Sequence, residues 1–220
     1  MSKTILLNQN WIFSKEGHDE PVTLPHTWNA IDGQDGGNDY YRGTCCYTTV
    51  LPDIVLPENG RAVLQFGAGA LTDEVYLNEQ KLAEHKGGYS AFCVDITDAL
   101  RNGSNLLRVN VDNSDNDTVY PQKADFTFYG GIYRDVTLHV VPAAHFAFAE
   151  NGAVPVRVTP IVTDLNARRC EVTVEAAVVG AESVTFILDG QQTSGAVNDG
   201  TARAVFTLEH ARLWDGRDDP

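Results

Sequence analysis

Apolar residues along most of this chain recur at every second position, a period that fits half-buried β-strands and not helices. Leu107, Val109 and Val111 alternate with Arg108, Asn110 and Asp112. Val136, Leu138 and Val140 alternate in the same way with Thr137, His139 and Val141. Each run offers one apolar face to a core. Glu74-Val75-Tyr76-Leu77 and Lys81-Leu82-Ala83-Glu84 are separated by the polar Asn78-Glu79-Gln80, which predicts a hairpin. One helical turn is predicted at Thr97-Asp98-Ala99-Leu100-Arg101, with a capping residue at its start and a left-handed exit at Asn102-Gly103. The fold class expected is all-β.

A chain of 220 residues is long for one sandwich and suits two domains. The boundary is expected near Pro142, because proline cannot donate to a continuing ladder and the loop-like Glu150-Asn151-Gly152 soon follows. Residues 1–142 then form the first domain and residues 143–220 the second. In the second, three runs alternate: Val172, Val174 and Ala176; Val184, Phe186 and Leu188; Ala204, Phe206 and Leu208. Asp189-Gly190 and Asn198-Asp199-Gly200 separate them, a spacing that suits an immunoglobulin-like sandwich.

Composition narrows the function classes. A net charge of −14, with no run of Lys or Arg to offset it, repels phosphate backbones and anionic lipid, so no nucleic-acid or membrane partner is expected. No apolar run approaches the roughly 20 residues of a membrane span, and the opening MSKTILLNQNWIF lacks a secretion signal's apolar stretch and cleavage site. A cytoplasmic location is expected. Cys45 and Cys46 point to opposite faces of a strand and cannot easily share a partner; with Cys93 and Cys170 they read as buried, inert thiols. The six histidines show no metal-ligand spacing, and His26 reads as a hydrogen-bonded structural group. The loop Asp32-Gly33-Gln34-Asp35-Gly36-Gly37-Asn38-Asp39 is rich in acids but lacks the order and closing glutamate of a calcium loop.

One segment exceeds what strand patterning requires: Asp125-Phe126-Thr127-Phe128-Tyr129-Gly130-Gly131-Ile132-Tyr133-Arg134-Asp135-Val136. It joins Leu24-Pro25-His26-Thr27-Trp28-Asn29, Tyr40-Tyr41-Arg42-Gly43, Val75-Tyr76-Leu77-Asn78, His85-Lys86-Gly87-Gly88-Tyr89-Ser90-Ala91-Phe92, Asp95-Ile96-Thr97 and Leu213-Trp214-Asp215-Gly216-Arg217. In this order and at these separations the set resembles glycoside hydrolase family 2, the bacterial β-galactosidases and β-glucuronidases. The resemblance implies a jelly-roll, galactose-binding-like β-sandwich followed by an immunoglobulin-like β-sandwich lacking its last strand. It also implies a retaining hydrolase whose two carboxyl groups, about 5 Å apart, stand on a (β/α)8 barrel. That barrel is absent from these 220 residues. The chain by itself is therefore expected to be inactive, and no residue in it is expected to be catalytic. Asn78-Glu79 mimics the family's acid/base pair but lies in a solvated turn.

What the resemblance assigns to this chain is substrate contact. Asp125 matches an aspartate that binds the hydroxyls of the sugar, and its carboxylate can accept two hydroxyl hydrogen bonds. Asn38 or Asp39 adds a further bond to substrate. No cofactor is expected; in some large relatives the aspartate also helps hold a sodium ion. Gly130 and Gly131 are expected to allow a tight or left-handed backbone, while Phe126, Phe128 and Tyr129 pack the loop or line the barrel interface. Arg134 and Asp135 are expected to form a local ion pair. The implied partner is carbohydrate, a β-galactoside first, with a β-glucuronide or another β-glycoside as the alternative. A free-standing carbohydrate-binding module is the competing reading. The missing strand leaves a sheet edge, and the chain is expected to associate through it or through surface that the barrel would cover; a homo-oligomer is expected.

Overall fold

A computed structural model describes residues 2–32, 40–119 and 127–214. The chain divides into two compact units, one of Met1–Ala143 with Phe148–Ala153, the other of Ala144–Ala147 with Val154–Pro220.

The first unit is a two-layer antiparallel sandwich. Its strands are β1 (Lys3–Leu6), β2 (Trp11–Lys15), β3 (His18–Val22), β4 (Thr44–Val50), β5 (Arg61–Phe66), β6 (Thr72–Leu77), β7 (Gln80–Lys86), β8 (Phe92–Asp95), β9 (Leu106–Asp112) and β10 (Val136–Val141). One sheet has the order β1-β10-β5-β8, the other β3-β2-β4-β9-β6-β7. Successive strands pass repeatedly from one sheet to the other, as a jelly roll requires. Alternation explains the layers. Leu107, Val109 and Val111 on β9 and Val136, Leu138 and Val140 on β10 are buried, and they join Trp11, Tyr47, Leu64, Phe66 and Val75 in one core.

The predicted hairpin is β6–β7, with Asn78 and Glu79 both at positive φ (50° and 73°). The Asn78 side chain anchors this turn to neighbouring elements: Oδ1 accepts from Leu106 N at 3.1 Å and Nδ2 donates to Ala99 O at 3.2 Å. The predicted helical turn is shorter than expected, a 3-10 turn over Thr97–Ala99. Thr97 does not cap it. Its hydroxyl accepts from Ala62 N, and Asp95 Oδ1 instead accepts from Thr97 N. Gly103 is left-handed, as expected.

The second unit holds β11 (His145–Phe146), β12 (Val156–Asp164), β13 (Arg169–Val179), β14 (Ser183–Leu188), β15 (Gln191–Asn198) and β16 (Thr201–Leu208). The sheet order is β11-β13-β16-β15-β14, with β12 also on β13. Val172, Val174, Ala176, Phe186, Ala204 and Phe206 form its core. Asp189-Gly190 and Asp199-Gly200 turn the two hairpins at positive φ. All four cysteines are free, and burial pushes the Cys45 thiol up to about 12, which keeps it unreactive near neutral pH.

Candidate functional site

The Gly130-Gly131 turn is clamped between two other segments at one end of the first unit. Residues His26 to Trp28 run beside it: His26 N donates to Ile132 O at 2.9 Å, Trp28 N to Gly130 O at 3.3 Å, and Thr27 Oγ1 to Gly130 O at 2.8 Å. On the far side Ala70 N donates to Gly131 O at 3.1 Å. The two glycines serve different ends. Gly131 has φ 134°, a conformation other residues rarely adopt, whereas a Cβ on Gly130 would overlap the Trp28 indole ring. That ring stacks on Phe13 at 5.8 Å between centroids. His26 Nδ1 bonds the Tyr47 hydroxyl at 2.7 Å, the structural role expected of it, and burial lowers its pKa against the opposing field of Glu20.

Two asparagines join this turn to the rest of the end. Asn29 Oδ1 accepts from Gly130 N at 2.7 Å and from Asn113 Nδ2 at 3.1 Å. Asn29 Nδ2 donates to Asp32 Oδ2 at 2.5 Å and to Tyr41 O at 2.9 Å. Asn113, fully buried, also donates to Phe128 O at 3.1 Å and accepts from Gly43 N at 2.9 Å. Tyr40 donates its hydroxyl to the same Phe128 O at 2.5 Å. Arg42 closes the network: Nε donates to Asn113 O at 2.7 Å, Nη1 pairs with Asp115 at 2.6 Å, and the guanidinium lies 5.4 Å from the Phe128 ring centre. On the other flank Val119 packs with Ala70, Leu71 and Tyr133.

Asp125, Asn38 and Asp39 all lie outside the described residues, as do Phe126 and the sodium site considered at Asp125. The described residues on either side of them are brought together. Asp32 and Tyr40 flank one segment, Val119 and Thr127 the other; the Asn29–Asn113–Phe128 bonds tie Asp32, Tyr40 and the Phe128 end together, while Val119 packs on Ala70 and Leu71. Phe128 is buried and packs the turn; Tyr129 is 45% exposed. The expected ion pair of Arg134 and Asp135 is not formed. The two side chains find separate partners: Arg134 Nη1 donates to Tyr89 O and Gly67 O, while Asp135 Oδ1 accepts from Asn8 Nδ2 at 2.7 Å. Among the described residues no group of three His, Cys, Asp or Glu side chains converges as a metal site.

Sequence reasoning passed over Asn113, which lies in no motif, and gave Asn29 no role. A signal existed in Asn113, an amide two residues beyond the inward Val111 and so on the same face just past the end of a strand, where a side chain can bond loops on both sides.

Residues 2–142 match the family model described as glycosyl hydrolases family 2, sugar binding domain. The chain belongs to glycoside hydrolase family 2. It is 33% identical to a β-glucuronidase of Bacteroides fragilis over 98% of this chain and 34% of that protein. An FMN-binding β-glucuronidase structure from Facaelibacterium prausnitzii L2-6 is 35% identical, with a TM-score of 0.86 over 100% of this chain and 35% of its own. A putative β-galactosidase structure from Bacteroides fragilis is 28% identical, with a TM-score of 0.84 over 99% of this chain and 37% of its own. The chain thus spans about a third of the length of these family 2 relatives.

Proposed function

We propose that this chain is the non-catalytic sugar-binding portion of a retaining β-glycosidase, forming one wall of the site that holds the terminal sugar. The observation that carries this is the Asn29–Asn113–Phe128 network, which holds Asp32 and Tyr40, on either side of the segment bearing Asn38 and Asp39, against Phe128, just beyond the segment bearing Asp125. Held there, Asp125 accepts hydrogen bonds from sugar hydroxyls, and Asn38 or Asp39 adds another. Of the two glycones expected from sequence, the β-glucuronide is supported by two β-glucuronidases that match nearly all of this chain at 33% and 35% identity, and the β-galactoside by a putative β-galactosidase structure at 28% and a β-galactosidase at 30% over 64% of this chain. Four unpaired thiols support a reducing, cytoplasmic location, which cell fractionation tests.

The test is kinetic. In the enzyme containing this chain, Asp125→Ala is expected to lower kcat/KM for a nitrophenyl β-glucuronide by roughly ten- to hundredfold, the worth of a charged hydrogen bond. Unchanged kcat/KM would remove Asp125 from the site. Calorimetric titration of the isolated chain with glucuronate and galactose is expected to be silent; saturable binding would favour a free-standing carbohydrate-binding module.

A further inference from the structure

Asp73 is a carboxylic acid set in the apolar interior of the sugar-binding domain. The alternation that buries Val75 and Leu77 on β6 buries Asp73 with them, leaving it 1% exposed. Its register neighbours are His85 on β7 and Val111 on β9. Backbone closes over it as well: Gly69 lies so near that a Cβ there would overlap the carboxyl. Among the described residues Asp73 Oδ2 has no hydrogen-bond partner.

The titratable groups around it are engaged elsewhere. The Tyr47 hydroxyl bonds His26 Nδ1, the Tyr133 hydroxyl donates to Gly88 O, and His85 Nε2 bonds Gly87 O and Ser90 Oγ. Glu74 on β6 and its partner Glu84 on β7, together with Lys86 opposite Thr72, sit at the alternate positions that face the other side of the sheet. An isolated carboxylate in such surroundings is costly, and the group takes up a proton instead. Burial accordingly pushes Asp73 up to about 8.

The backbone over Asp73 is the same segment that holds the glycine turn. Ala70 N donates to Gly131 O, Leu71 N to Asp112 O at 2.6 Å, and Leu71 O accepts from Gly87 N at 3.0 Å. We propose that Asp73 is a proton-controlled latch: neutral, it lets Gly69 to Leu71 close over it and grip Gly131; ionised, it drives that segment open. The sugar-site reading enters only in the consequence for substrate, not in the opening itself.

The sign follows from linkage. The closed form holds its proton more tightly than an open, solvated Asp of pKa about 3.9. Opening is therefore rarest below about pH 4, rises about tenfold per pH unit above it, and levels off once the closed form also ionises. Hydrogen exchange of the Ala70, Leu71 and Gly87 amides, corrected for intrinsic rate and referenced to Leu138 in β10, tests this without any sugar. Protection in the wild-type chain is expected to fall roughly tenfold per pH unit from pH 5 to 8 and then flatten. Asp73→Asn, similar in shape and uncharged, is expected to show no such fall. The same pH dependence in Asp73→Asn would overturn the proposal. Isotope-edited infrared spectroscopy of the wild-type chain needs no variant: a protonated carboxyl band for Asp73 at pH 6 supports the latch, and a carboxylate band there overturns it.

Discussion

At the scale of single residues, the candidate site depends on atoms that are missing as much as on those present. Gly130 has no side chain where the Trp28 ring lies, so Gly130→Ala must displace a buried indole stacked on Phe13. The expected loss is about 1–3 kcal/mol, as for other overpacked cores. It would be read as a lower urea midpoint at unchanged slope; an unmoved midpoint would mean the ring has room to shift. The paired glycines were legible in the sequence as a special backbone, but the partner of Gly130 was not, because Trp28 lies about a hundred residues away along the chain. Asp73 was half legible. Its place in the alternation with Val75 and Leu77 puts a carboxyl on the inward face, yet the lack of a partner for its Oδ2 among the described residues depends on where Tyr47, Tyr133 and His85 direct their own polar atoms.

Among the elements, the β6–β7 hairpin shows how local chemistry and strand geometry agree. Two residues at positive φ give the turn the twist that the flanking strands need, and Asn78 meets this with its side-chain bonds. Glu79 does so with φ 73° and no such compensation, a conformation that costs a non-glycine residue roughly 1 kcal/mol. Glu79→Gly is therefore expected to stabilise the chain by about that amount, measured by chemical denaturation; destabilisation would show that the glutamate makes a contact worth more than the strain. The same alternation rule missed β12. Pro160 interrupts its run, and proline argues against a central strand. Only the register explains it: β12 pairs with β13 alone, so Pro160 can stand on an edge.

For the whole molecule, an open sheet edge sets the expectation for association. β14, at one end of the second unit's sheet, reads Ser183-Val184-Thr185-Phe186-Ile187-Leu188, without charge or proline, and Ile187 is 70% exposed. Such an edge is a template for pairing between chains. The isolated chain is expected to self-associate with rising concentration in sedimentation, and Ile187→Lys to weaken that association; a wild-type chain that stays monomeric at high concentration would contradict it. The amino-acid sequence by itself determined the all-β class, the inward faces of β9, β10, β13 and β16, the turn positions and the family. All of these rest on period, turn chemistry or ordered motifs, which are local properties of the chain. Tertiary structure decided that Arg134 and Asp135 part to different partners, that Asn29 and Asn113 bind loop ends together, and that Asp73 Oδ2 has no partner among the described residues. Those outcomes depend on distances between residues remote in sequence, fixed only when two sheets pack and each buried polar atom finds, or fails to find, a bond.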